Sequence, residues 1–95
     1  MSRYRIANDA QADLRELYNY VARFSEARAN ALFDEFLTRF QVIADQPLLQ
    51  GATDELYGTG LRVNALRGYL VFYRTTDAGV EIARVIDSAR GPGAV

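Results

Sequence analysis

Apolar residues recur at three- and four-residue spacing through the first half of the chain. Leu14, Leu17, Tyr18, Val21 and Phe24 fall on one stripe, which predicts a helix from about Asp9 to Phe24. Asp13, Arg15, Glu16, Asn19 and Arg23 lie off the stripe. Asn8 has the chemistry of a helix cap, with Gln11 placed to reach back as in a capping box. Ser25 breaks the stripe and can cap a second helix, predicted from Glu26 to Asp45. Its apolar face is broad: Leu32, Phe33, Phe36, Leu37, Phe40, Ile43 and Ala44. Three phenylalanines at helical spacing read as packing surface. Gln46-Pro47 ends the helix, since the residue before proline disfavours the α region. With so short a linker, the helices form an antiparallel hairpin.

The second half changes period. Tyr4–Ala7 near the start is a short extended run, expected at a sheet edge. From Gly60 to Arg90 three runs follow, Leu61–Leu66, Tyr69–Arg74 and Val80–Ile86, rich in β-branched and aromatic residues. Arg67-Gly68 links the first two, and Thr76-Asp77-Ala78-Gly79 the last two, both hairpin signals. The reading is an antiparallel meander with the almost wholly apolar Tyr69–Arg74 in the middle. Pro47–Thr59 has little periodicity and reads as a surface loop, with a helical turn expected at Asp54–Tyr57. Gly91–Val95 is expected to be a frayed tail.

The order is strand, helix, helix, strand, strand, strand. The expected fold is therefore α+β, a single domain over residues 1–95, with the helix hairpin packed on one face of a small, mainly antiparallel sheet. Strict alternation along Val80–Ile86 places Val80, Ile82, Arg84 and Ile86 on one side and Glu81, Ala83, Val85 and Asp87 on the other. The middle run is apolar on both sides. Apolar side chains are therefore left uncovered whichever way the strands face, and such a patch on a small domain marks a partner site.

Composition narrows the chemistry. Nearly half of the 95 residues are hydrophobic, which excludes disorder. There is no cysteine and no histidine, so disulfides, thiolate sites and the usual general base are absent, and no metal or other cofactor is expected. Membrane-spanning and secretory runs are lacking too, and the expected compartment is the cytoplasm. Net charge is −1, which disfavours a protein that works by neutralising phosphates. All 11 cations are arginine. Arg62, Arg67, Arg74, Arg84 and Arg90 sit on or beside the meander, where arginine serves interfacial ion pairs better than lysine.

These elements, with these residues, resemble the RelE/ParE superfamily of type II toxins, and the ParE branch in particular. The residues concerned are Ala12-Asp13-Leu14 with Leu17, Tyr18 and Tyr20, then Pro47, Gly51 and Glu55-Leu56. Gly60-Leu61-Arg62, Gly68 to Arg74, Gly79 to Ile86 and Ala89-Arg90 follow. The resemblance covers most of the chain and rests on the ordered set, not on any one piece. It implies a toxin held by a cognate ParD-like antitoxin with a ribbon-helix-helix DNA-binding end. Operator DNA is then contacted only indirectly, through the antitoxin, and the target is DNA gyrase.

The RelE branch instead cleaves mRNA on the ribosome. Set against that branch, Leu61 and Val63 stand where lysines would fall and Leu70 where an arginine would. Arg90 matches a remaining arginine, and no tyrosine follows it. RNA cleavage needs groups that activate a 2′-hydroxyl and stabilise a phosphorane. The resemblance thus implies a gyrase inhibitor that acts by binding and has no catalytic residues. An mRNA endoribonuclease and a non-toxic antitoxin-binding homologue are the alternatives. Tyr57, Tyr69 or Tyr73 with Arg74 or Arg84 would be the substitute acid–base pair. Candidate target contacts are Arg62, Arg74, Arg84 and Arg90. Each also has a structural reading, by stacking on a tyrosine or pairing with Glu81 or Asp87. Candidate antitoxin contacts are Tyr20, Leu61, Leu70, Phe72 and Ile86.

Overall fold

The computed structural model describes residues 3–53 and 58–89. Its elements are β1 (Arg3–Ile6), α1 (Asn8–Ala22), α2 (Glu26–Asp45), α3 (Pro47–Gln50), β2 (Ala52–Thr53), β3 (Arg62–Leu66), β4 (Tyr69–Thr76) and β5 (Gly79–Asp87). The expected order is present. Two short pieces, α3 and β2, were not expected. They occupy part of the stretch read from sequence as a loop. The helical turn expected at Asp54–Tyr57 and the tail expected at Gly91–Val95 lie outside the described residues.

Ser25 caps α2 as expected, its Oγ accepting from the Arg28 N–H at 3.1 Å. The start of α1 differs from expectation. Asn8 is the first helical residue, Ala7 holds the cap position, and no side chain caps the helix. Gln11 does reach back, but its Nε2 donates to the carbonyl of Ile6 at 2.8 Å. Tyr18 joins the helices, edge-on to Phe33 and donating to Asn30 Oδ1 at 2.6 Å. Phe24, assigned to the apolar stripe, falls beyond the end of α1 and is 73% exposed.

The five strands form one sheet in the order β1-β5-β4-β3-β2. β1 runs parallel to β5, and the other pairs are antiparallel. Arg67-Gly68 closes the β3–β4 hairpin with φ of 52° and 80°, the double positive φ that a two-residue turn of matching twist requires. The second hairpin is tighter than expected. Thr76 pairs with Gly79, which leaves Asp77-Ala78 as the loop.

The helices cover one sheet face. Phe36, Phe40 and Ile43 of α2, with Ala10 and Leu14 of α1, bury against Val71, Tyr73, Val80, Ile82 and Val85. Tyr4 reaches this core edge-on to Phe40, ring centroids 5.7 Å apart. The strict alternation expected on β5 is interrupted. Phe72 pairs with Arg84 but Tyr73 pairs with Ile82, so Ala83 is an extra residue, a β-bulge. The bulge exchanges the faces beyond it. Val85, not Arg84, joins Val80 and Ile82 in the core.

Candidate partner-binding surfaces

The four arginines proposed for target contact have distinct fates. Arg62 pairs in register with Tyr73 and so lies on the helix-covered side. Its Nη2 donates to the carbonyls of Gly51 at 2.7 Å and Leu48 at 3.3 Å. Asn64 Nδ2 donates to the Gln50 carbonyl, and the Tyr73 hydroxyl to that of Pro47. Arg39 braces Asn64 in turn, Nη1 to Oδ1 at 2.8 Å. Three sheet side chains thus fasten α3 and the residue after it by their backbone oxygens. Short helices end with unsatisfied carbonyls, and here the sheet supplies the donors. Gly51 allows the approach, since a Cβ there would stand 2.4 Å from the Tyr73 hydroxyl. Arg62 is therefore a structural clamp.

Arg84 is bound to α1. Its Nε and Nη2 donate to Asp13 Oδ2 and Oδ1 at 2.7 and 2.9 Å, and Oδ2 also accepts from the Val85 N–H at 3.0 Å. β1 stops pairing at Ile82, so the outer edge of β5 continues beyond it with no neighbouring strand. Asp13 fills that gap. The bulge at Ala83 sets Arg84 beside the same carboxylate, whose hydrogen bonding, and after it its charge, raises the Arg84 pKa above its ordinary value. Asp13 looked like a solvated position in the helical pattern but is nearly buried, its side chain 13% exposed.

Arg74 lies on the opposite face. Its Nε donates to Glu81 Oε1 at 2.8 Å. Arg5, from β1, holds the other oxygen through Nε at 3.0 Å and through Nη2. The Glu81 side chain is 10% exposed, whereas those of Arg5 and Arg74 are 77% and 61% exposed. One covered carboxylate therefore supports two exposed guanidiniums. The hydrogen bond from Arg5, then that from Arg74, holds the Glu81 carboxyl below its ordinary value of 4.5. A lowered folded-state pKa gives stability that is complete above the unfolded value and is lost as pH falls through the folded one. Wild type should thus lose this contribution below about pH 4.5. Glu81→Gln should be less stable at pH 7, with the gap closing as pH falls. Denaturant melts at pH 7, 4.5 and 3 check this; a gap that is unchanged at pH 3 contradicts it.

Arg90 lies outside the described residues. Of the apolar candidates, Tyr20 is exposed and stacks edge-on with Phe24, centroids 5.6 Å apart. Leu61, Leu70 and Ile86 are half-buried. Phe72 contradicts its assignment as an uncovered residue, because it has no exposed surface. Leu70 and Ile86 face each other across β4 and β5, on the side carrying Arg5 and Arg74. Sequence reasoning missed the exposed pair Leu48 and Leu49, which α3 displays outward. Two leucines following Pro47 without helical partners were the available signal.

The substitute acid–base pair is not assembled by the residues described. Tyr73 is buried with its hydroxyl bound to Pro47, and Arg84 is bound to Asp13. Burial, then the charge of Asp87, pushes the Tyr69 phenol up, away from a useful proton-transfer range. Tyr57 lies outside the described residues. Among the described residues no helix is long and apolar enough to cross a membrane.

A family model described as the ParE toxin of the type II toxin–antitoxin system parDE matches residues 4–92. A chain in the solved structure of the chromosomal ParDE TA system from P. aeruginosa has the same fold, with a TM-score of 0.72 at 21% identity, over 92% of this chain and 96% of that one. No curated protein sequence matches.

Proposed function

The chain belongs to the ParE toxin family of type II toxin–antitoxin systems, and from that membership we propose that it is a single-domain cytoplasmic toxin that inhibits DNA gyrase by binding. In this reading it carries out no chemistry of its own. A ParD-like antitoxin neutralises it and links it to operator DNA. The observation that supports binding over catalysis is the state of the sheet arginines. Arg62 is spent on backbone carbonyls and Arg84 on Asp13, so neither is free to stabilise a phosphorane.

Arg74 and the exposed apolar side chains Tyr20, Leu48 and Leu49 remain for contact with protein partners. Aromatic and arginine side chains dominate such contacts. Induced expression without antitoxin should arrest growth, fragment the chromosome and leave ribosome-bound mRNA intact. Co-expression of the antitoxin should restore growth. Cleaved mRNA with an intact chromosome would favour the ribonuclease reading. Unimpaired growth would favour a homologue that has kept only antitoxin binding.

A further inference from the structure

We propose that Asp13 and Arg39 are edge stops: each closes an unpaired stretch of sheet edge against strand addition by a second copy of this chain. The inference does not depend on the toxin reading. Both outermost strands are shorter than the strands they flank. β1 pairs with β5 only from Gly79 to Ile82, and β2 pairs with β3 only at Arg62 and Val63. Among the described residues, the outer sides of residues 83–87 and 64–66 therefore have no neighbouring strand. An open edge is a template for pairing with another chain.

The register fixes which backbone groups face outward. In an antiparallel ladder, bonded and non-bonded residue pairs alternate, and a residue of a non-bonded pair turns both its N–H and its C=O away from its partner. Leu66 and Tyr69 close the first hairpin as a bonded pair, so Ala65 opposite Leu70 is non-bonded. Thr76 and Gly79 close the second, and counting from there through the bulge makes Val85 opposite Val71 non-bonded as well. Ala65 and Val85 are thus the residues from which an added strand would take its first hydrogen bonds.

Both are already engaged, by helix side chains of matching chemistry. Asp13 of α1 gives an acceptor to the strand donor, its Oδ2 taking the Val85 N–H at 3.0 Å. Arg39 of α2 gives a donor to the strand acceptor, its Nη1 bonding the Ala65 carbonyl at 3.1 Å. Each stop is itself held. Arg84 grips both oxygens of Asp13 at 2.7 and 2.9 Å, and Asn64 Oδ1 accepts from Arg39 at 2.8 Å. Two copies that join at one edge do so about a two-fold axis, each residue against its own counterpart. At β3 this sets one Arg39 against another, and like charges facing each other across strands are destabilising. At β5 the incoming strand must displace Asp13 from Val85 and part it from Arg84. A charge set on an open edge is a known barrier to such pairing.

Sedimentation equilibrium of the purified full chain, over a range of concentrations, tests the stops. The variants are Arg39→Leu, Asp13→Ala, Arg39→Leu combined with Ala65→Pro, and Val71→Ala. Arg39 is half-buried and Ala65 exposed, and a proline at Ala65 removes an outward N–H without breaking a ladder bond. Val71 lies in the central strand β4 with no exposed surface, so Val71→Ala lowers stability with both stops in place. Arg39→Leu and Asp13→Ala should each strengthen self-association about tenfold or more over wild type. Ala65→Pro should return Arg39→Leu to the wild-type level, and Val71→Ala should stay at it. Either single variant at the wild-type level removes that residue as a stop, and both at that level overturn the proposal. It is also overturned if the proline leaves the association of Arg39→Leu unchanged, or if Val71→Ala associates as strongly, since lost stability then accounts for the effect.

Discussion

Gly79→Ala should lower the melting temperature by more than about 10 °C and release β1 from the sheet. Gly79 sits at φ +147°, and a Cβ there would come within 1.8 Å of the Arg3 carbonyl oxygen. That oxygen belongs to the backbone of the paired strand, so no side-chain rotation relieves the clash. Either the turn Asp77-Ala78 rebuilds or β1 moves away. Strain of this kind costs about 3 kcal/mol, a large share of the stability of a small domain, and each kcal/mol shifts the melting temperature of such a domain by roughly 4–8 °C. The loss is local in origin. Amide exchange at the β1–β5 pairing should accelerate well beyond that at the β3–β4 hairpin, whose own turn is untouched. A melting temperature within two or three degrees of wild type, roughly half a kcal/mol, would contradict the β1–β5 contact as described.

Asp13→Ala should be nearly as damaging, for a different reason. The substitution strands the Val85 N–H on the part-buried outer edge of β5, and strips Arg84 of both its acceptor oxygens. A buried donor left unmade costs about 1–3 kcal/mol. Arg84 is 40% exposed, so water recovers part of its loss and the ion pair adds little. The expected total is about 2–3 kcal/mol. Asp13→Asn, which keeps one acceptor oxygen, should lose about half as much. In a double-mutant cycle, Asp13→Ala and Arg84→Met should be clearly non-additive. Additivity would mean that α1 and the bulged edge of β5 are not joined by this carboxylate.

These two sites show where sequence stops informing. The helix periodicity, the Ser25 cap, the Pro47 stop and the Arg67-Gly68 turn are local signals, and the structure has each of them. The α+β order follows from those signals and from the resemblance quoted for Gly68 to Arg74 and Gly79 to Ile86. The β5 bulge is not local. Val80–Ile86 alternates correctly as written, and only the packing of Val85 under the helices requires an extra residue at Ala83. Asp13 likewise reads as a polar face position, because nothing in α1 reveals that β1 ends short of Val85.

The arginines illustrate the same limit. Their number and their setting on the meander were legible, and so was the possibility of a pair with Glu81. Which of them were committed to internal partners depended on contacts across the sheet or to α1 and α3. Arg62 and Arg84 proved to be internal fastenings, while Arg74 remained largely exposed. Phe72 shows the converse: on the face away from the helices an apolar residue reads as exposed, yet Phe72 is buried. The exposed groups are Arg3, Arg5 and Arg74 on the sheet and the leucines of α3.

The most direct test of the proposed function is made on DNA. Purified chain, freed of antitoxin, is added to DNA gyrase, relaxed plasmid and ATP. The account predicts loss of supercoiling, accumulation of cleaved plasmid, and reversal of both by the antitoxin. Full supercoiling at a large molar excess of folded chain, with no cleaved plasmid, would contradict it.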